Sequence, residues 1–135
     1  MTIENAKLIS SIFLTSLLLW SVAWMTISAF KLKSGSDKTY WWKTHLLWCV
    51  VNAAIAIISL VSLFSRDTFD AEYVISQRTI VLFNVFLDGI YAVIAIIFLR
   101  KKTQRYIQIG KAVLIQAAFL FVLDIVIVIG LTSIL

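Results

Sequence analysis

Apolar residues fall in four long runs that are almost free of charge: Leu8 to Phe30, Thr44 to Phe64, Thr79 to Leu99 and Ala112 to Leu135. Each reaches the roughly 20 residues that a helix rising about 1.5 Å per residue needs to cross a hydrocarbon core of about 30 Å. The pattern predicts an all-α fold, a transmembrane four-helix bundle with short loops, as a single membrane domain over residues 1–135. The polar stretches between the runs, KLKSGSDKTYWWK (Lys31 to Lys43), SRDTFDAEYVISQR (Ser65 to Arg78) and RKKTQRYIQIGK (Arg100 to Lys111), are too short to hold a soluble domain. The first run exceeds the roughly 7–15 apolar residues of a signal-peptide core, and no A-x-A-like site follows it, so it reads as a retained span.

Composition agrees and removes several classes of chemistry. The chain is 61% hydrophobic and 14% charged, with a mean hydropathy of +0.99, against about 45–50% apolar and about 25% charged in soluble domains. Its lone cysteine, Cys49, and lone histidine, His45, are too few for a disulfide, a CxxC redox pair or a multi-histidine metal centre. No metal and no cofactor are therefore expected. Nor is there a nucleophile–base pair or a glycine-rich phosphate loop. Paired aspartates working as an aspartyl dyad are the one catalytic option, and 135 residues leave little machinery around them, so an enzyme is not the expectation. There is no proline, and only Gly89 and Gly130 lie inside the runs. The expected helices are straight, without the breaks that mark many transporter sites.

Charge sets an expected orientation. The first polar stretch carries Lys31, Lys33, Lys38 and Lys43, and the third carries Arg100, Lys101, Lys102, Arg105 and Lys111, whereas the opposite side has only Lys7, Arg66 and Arg78. By the positive-inside rule, loops 31–43 and 100–111 are cytoplasmic and both termini lie outside, with the acidic Asp67, Asp70 and Glu72. The net charge of +5 then reflects topology and contact with anionic lipid headgroups rather than binding of nucleic acid.

The polar residues inside the runs point to a buried centre. Asp88 is the tenth of 21 residues in the third run and Asp124 the thirteenth of 24 in the fourth, so both carboxyls fall near the midplane; Asn52 is ninth of 21 in the second. On the second helix His45, Cys49, Asn52, Ala56 and Ser59 share one stripe, and on the third Asn84, Asp88, Tyr91 and Ala95 share another. The first helix offers Ser11, Thr15, Leu18, Met25 and Ser28, with Ser21 beside them. The fourth offers Gln116, Leu120 and Leu123 with Asp124 at the edge. Intramembrane acids are costly and face the bundle interior. The stripes are thus expected to converge on a chamber lined by Asn52, Asn84, Asp88, Tyr91, Gln116 and Asp124. No Lys or Arg lies at that depth, so either one carboxyl holds a proton or a cation sits between the two. A proton or cation site and a purely structural hydrogen-bonded core both fit this pattern. His45, beside Trp41 and Trp42, reads as an interfacial anchor or a point of proton entry; Trp20 and Trp24 read as packing or as a cation–π platform.

The segments KTHLLWCVVNAAIA, LFNVFLDGIYAVIAIIFL and GKAVLIQAAFLFVLD, with a His and an Asn in the second helix, N-x-x-x-D-x-x-Y in the third and Q-x-x-F-L-x-x-x-D in the fourth, resemble a family of small uncharacterised bacterial four-helix membrane proteins. The resemblance picks out His45, Asn52, Asn84, Asp88, Tyr91, Gln116 and Asp124, and implies a bacterial plasma-membrane location without implying an activity. Two functions follow as expectations. One is a site that binds or transports a proton, a cation or a small cationic or polar ligand, in a monomer or a homo-oligomer. The other is a non-transporting immunity, regulatory or subunit-like protein that binds a peptide, lipid or membrane partner.

Overall fold

The computed structural model describes residues 4–135, so residues 1–3 of the expected domain lie outside it. Four helices account for nearly all of that range: α1 (Glu4–Lys33), α2 (Thr39–Phe64), α3 (Ala71–Leu99) and α4 (Gln104–Ile134). Each is long and apolar enough to cross a membrane. At about 1.5 Å per residue they measure roughly 40–45 Å, so their ends project beyond a core of about 30 Å. The polar stretches therefore contribute helical turns rather than loops, which shrink to residues 34–38, 65–70 and 100–103. Helix-tolerant residues such as Glu72, Gln77, Arg78, Gln104 and Arg105 explain the extension, with no proline to oppose it.

Capping fixes two of the starts. Asp70 accepts the backbone N–H of Tyr73 at 2.9 Å, an N-cap for α3. Lys38 gives α2 no side-chain cap; instead Gln108 of α4 reaches across, its Oε1 accepting the N–H groups of Tyr40 (3.1 Å) and Trp41 (3.3 Å). Gly35 takes φ +77° and turns the chain out of α1.

The packing is uneven. α1 lies along α2 and α3 along α4, while α4 also touches α2 and α1 and so forms the hub. At one end a core cluster of Ala6, Leu63, Tyr73, Val74, Val81, Ile127 and Leu131 joins all four helices. On α1 the buried line is Ala6, Ser10, Leu17, Ser21 and Ser28, not the expected line through Thr15, which is exposed. Small residues won because they let helix backbones approach. Ser21 returns its hydroxyl to the Leu17 carbonyl at 2.8 Å, so it packs without needing another partner. Leu19, Ile58, Phe86 and Val126 stay exposed around the outside, as a bilayer solvent requires.

The tightest approach is at Gly110, where an added Cβ would sit 2.8 Å from the Ala95 carbonyl oxygen and 3.1 Å from the Phe98 Cβ; around Gly89 there is nothing within 4 Å. Gly110→Ala is expected to destabilise the fold by about 1–3 kcal/mol through overpacking. Gly89→Ala is expected to stabilise it, by up to about 1 kcal/mol from helix propensity. Thermal unfolding in nanodiscs measures both, and equal effects at the two sites would contradict this packing.

Candidate functional site

Along α2 the stripe beginning at His45 is buried as expected, with His45, Cys49, Asn52 and Ala56 all in the interior. On α3 Asp88 and Ala95 are buried, and Asn84 and Tyr91 are half-buried on the same face. On α4 both Gln116 and Asp124 are buried. Because α4 is the hub, Asp124 sits in the interior rather than at the edge of a stripe. The polar residues do not, however, form one chamber. They divide into two groups on different sides of α4.

The first group borders a cleft of about 940 Å³ lined by residues of all four helices. Asn52, Asn84, Asp88, Tyr91 and Asp124 line it together. Asp88 and Asp124 are each only 4% exposed, and their carboxyls lie beside one another. Two carboxylates are acceptors only, so a direct hydrogen bond between them needs a shared proton. The Asp88 oxygen Oδ2 and the Asn52 amide nitrogen, Nδ2, are buried without hydrogen-bond partners. Toward one end Trp48 packs edge-on against Tyr91, with ring centroids 5.0 Å apart, and bridges α2 to α3. Toward the other end the cleft reaches Tyr73 and Arg66, whose guanidinium lies 4.5 Å from the Tyr73 ring centre. Tyr73 in turn lies beside Ser10 of α1. The lining therefore has an acidic middle, between Thr44 and Ile109 at one end and the basic Arg66 rim at the other.

The second group ties α1, α2 and α4 together. Trp20 Nε1 donates to Gln116 Oε1 at 2.9 Å, and the Gln116 amide nitrogen lies 2.7 Å from His45 Nδ1. An indole N–H only donates, which fixes the amide with its oxygen toward Trp20 and its N–H toward the imidazole. His45 Nδ1 must then be an acceptor, and the ring proton resides on Nε2, which is buried without a partner. The Cys49 thiol lies beside the same amide. Trp24 stacks on His45 at 4.0 Å, with Trp41 edge-on at 4.6 Å, and Trp20 stacks on Phe119 at 3.8 Å.

This division corrects the expected chamber at Gln116, which does not border the cleft. Eight residues separate it from Asp124, which is about 80° around the helix and roughly 12 Å along it, enough to turn it toward α1 and α2. His45 does not line the cleft either; it is fully buried against Trp24 and Trp41 and lies on Gln116. Trp20 and Trp24 serve packing and the amide knot. Sequence reasoning passed over Trp48 and Arg66 as cleft residues. Trp48, four residues before Asn52, carried a spacing signal, whereas Arg66 lies beyond the end of α2 and carried none.

Residues 16–125 match DUF6992, a family of unknown function. The chain belongs to that family. The DUF6992 match takes in most of α1 as well as the three helices that carried the resemblance, and it spans both polar groups from Trp20 to Asp124. No curated protein and no solved structure matches the chain.

Proposed function

We propose that this DUF6992 protein binds or transports a proton, a cation or a small cationic or polar ligand at the Asp88–Asp124 pair, with Asn52, Asn84 and Tyr91 as neutral contacts. One observation carries the reading: two buried carboxyls lie side by side in a cleft whose only lining cation among the described residues, Arg66, is far away at the rim. Apolar packing does not need such a pair, and an intramembrane acid costs about 2.5–3.5 kcal/mol on insertion scales. The pair with one proton carries a single negative charge, which a cation or a second proton neutralises. His45 and Gln116 are left out of this site and assigned to the knot between α1, α2 and α4. Orientation follows the charge bias, with the Arg66 rim on the outer side of a plasma membrane and the basic loops on the cytoplasmic side, against anionic headgroups.

A cation that neutralises the singly protonated pair competes with the second proton, so cation binding opposes full protonation of the pair. The sign follows directly: stabilisation by cation grows as pH rises and disappears as pH falls. In nanodiscs, a ligand at a hundred times its Kd raises the unfolding free energy by about 2.7 kcal/mol. Melting curves from about pH 5 to pH 9, with a panel of alkali, ammonium and small organic cations, are expected to show this shift in the wild type. Asp88→Asn and Asp124→Asn are expected to lose it. A shift that persists in both variants, or one that grows toward low pH, would sink the reading.

A further inference from the structure

The cleft has three properties that together specify a class of ligand. Its inner wall holds the only acids among the described residues that line it, Asp88 and Asp124, with Asp88 Oδ2 and Asn52 Nδ2 buried and unpartnered there. Its long walls are hydrocarbon, supplied by residues such as Val51, Ile55 and Ile58 of α2 and Ile80 of α3. Those same wall residues are 52–69% exposed. A residue that lines a cleft and also faces outward marks a side opening, here between α2 and α3. Above their aromatic bridge at Trp48 and Tyr91 the two helices leave a slot that faces the acyl chains of a bilayer. From the level of Asn52 to Arg66 this slot runs roughly 21 Å, fourteen residues at about 1.5 Å each.

We propose that the slot receives a single-chain amphiphile with a primary ammonium head, admitted sideways from the hydrocarbon layer. This rests on the binding function proposed above and specifies its ligand. The ammonium donates an N–H to Asp88 Oδ2 and offsets the one negative charge that the acid pair keeps while it shares a proton. An ammonium only donates, so the Asn52 amide takes the second polar contact by turning its oxygen toward the head and accepting there. The alkyl chain lies along Ile55, Ile58 and Ile80 and points toward the Arg66 rim. A small hydrophilic cation would use the acid pair and leave the walls idle. A neutral lipid chain would use the walls and leave the buried Asp88 oxygen unmet, at the usual cost of an orphaned polar group.

The test uses the full chain in nanodiscs of zwitterionic lipid, with dodecylammonium, methylammonium and dodecanol as probes and binding read by thermal shift and calorimetry. Dodecylammonium is expected to bind at least about tenfold more tightly than either of the others, and to lose about tenfold in Asp88→Asn. Equal affinity for methylammonium would overturn the amphiphile while leaving the cation site standing. Equal affinity for dodecanol, or no loss in Asp88→Asn, would show an ordinary lipid chain in the slot and overturn the ammonium head. No binding by any probe, with no response to the cation panel, would end both readings. A dodecylammonium analogue carrying a diazirine at the chain end avoids dependence on a variant's folding. Its label is expected on peptides holding Ile55, Ile58 and Ile80, with protection by excess dodecylammonium. Labelling spread evenly over outward residues such as Ile12 and Leu19 of α1 would refute the slot.

Discussion

Gln116→Leu will destabilise the protein by about 2–6 kcal/mol. The substitution leaves two buried groups without partners, the Trp20 indole N–H and the His45 Nδ1, and each orphan costs about 1–3 kcal/mol. Leucine fills comparable space, so lost polar contacts dominate over a cavity. Gln116→Glu separates the two causes. A carboxylate still accepts from Trp20, and it accepts from His45 as well once the imidazole proton moves from Nε2 to Nδ1. Most of the stability should return, and nitrogen NMR of His45 should report the changed tautomer. Because the knot does not border the cleft, the cation response is expected to survive Gln116→Glu. A loss below about 1 kcal/mol in Gln116→Leu, or a cation response abolished by Gln116→Glu, would put this residue back among the ligand contacts.

The second large effect lies at the acid pair, and its sign changes between single and double substitution. Asp124→Leu removes the partner of a buried carboxyl and is expected to cost about 2–3 kcal/mol; Asp88→Leu should cost a similar amount. The double variant Asp88→Leu/Asp124→Leu removes both partners at once, and such exchanges are nearly neutral or stabilising. A double-mutant cycle by reversible unfolding is therefore expected to show strong coupling, with the double variant at least as stable as the wild type. That outcome means stability does not require the pair, leaving ligand chemistry as its reason to be there. A double variant destabilised by the full sum of the singles would make the acids structural glue.

Much of the architecture was legible in the sequence. Run length and the absence of proline set four helices, and depth counting placed Asp88 and Asp124 near a common level, where their carboxyls meet. The stripes on α2 and α3 largely held, with Ser59 only half-buried, because each has one polar line against an almost wholly apolar remainder. Helix ends were less legible. The polar residues of 71–78 and 104–111 carry no hydropathy signal for helix, yet they extend α3 and α4, with Asp70 capping the first. The grouping of polar residues was the least legible. A stripe gives an angle on one helix, but it does not say which neighbour that angle faces. On α4, which touches every other helix, the turn between Gln116 and Asp124 sends one to the knot and the other to the cleft. On α1, with small polar residues on several sides, the expected line met the buried one only at Ser21 and Ser28.

The knot also orders events in time. The Trp20–Gln116 and His45–Gln116 contacts join residues 96 and 71 positions apart, so the first hairpin leaves the ribosome well before its partner amide exists. Until α4 arrives, an indole N–H and an imidazole nitrogen stay unmatched in lipid, where unsatisfied polar groups are expensive. The early hairpin is thus a waiting state that only α4 completes. A truncated or stalled chain carries that exposed polarity as a mark of unfinished assembly, open to membrane quality control, and the finished bundle hides it.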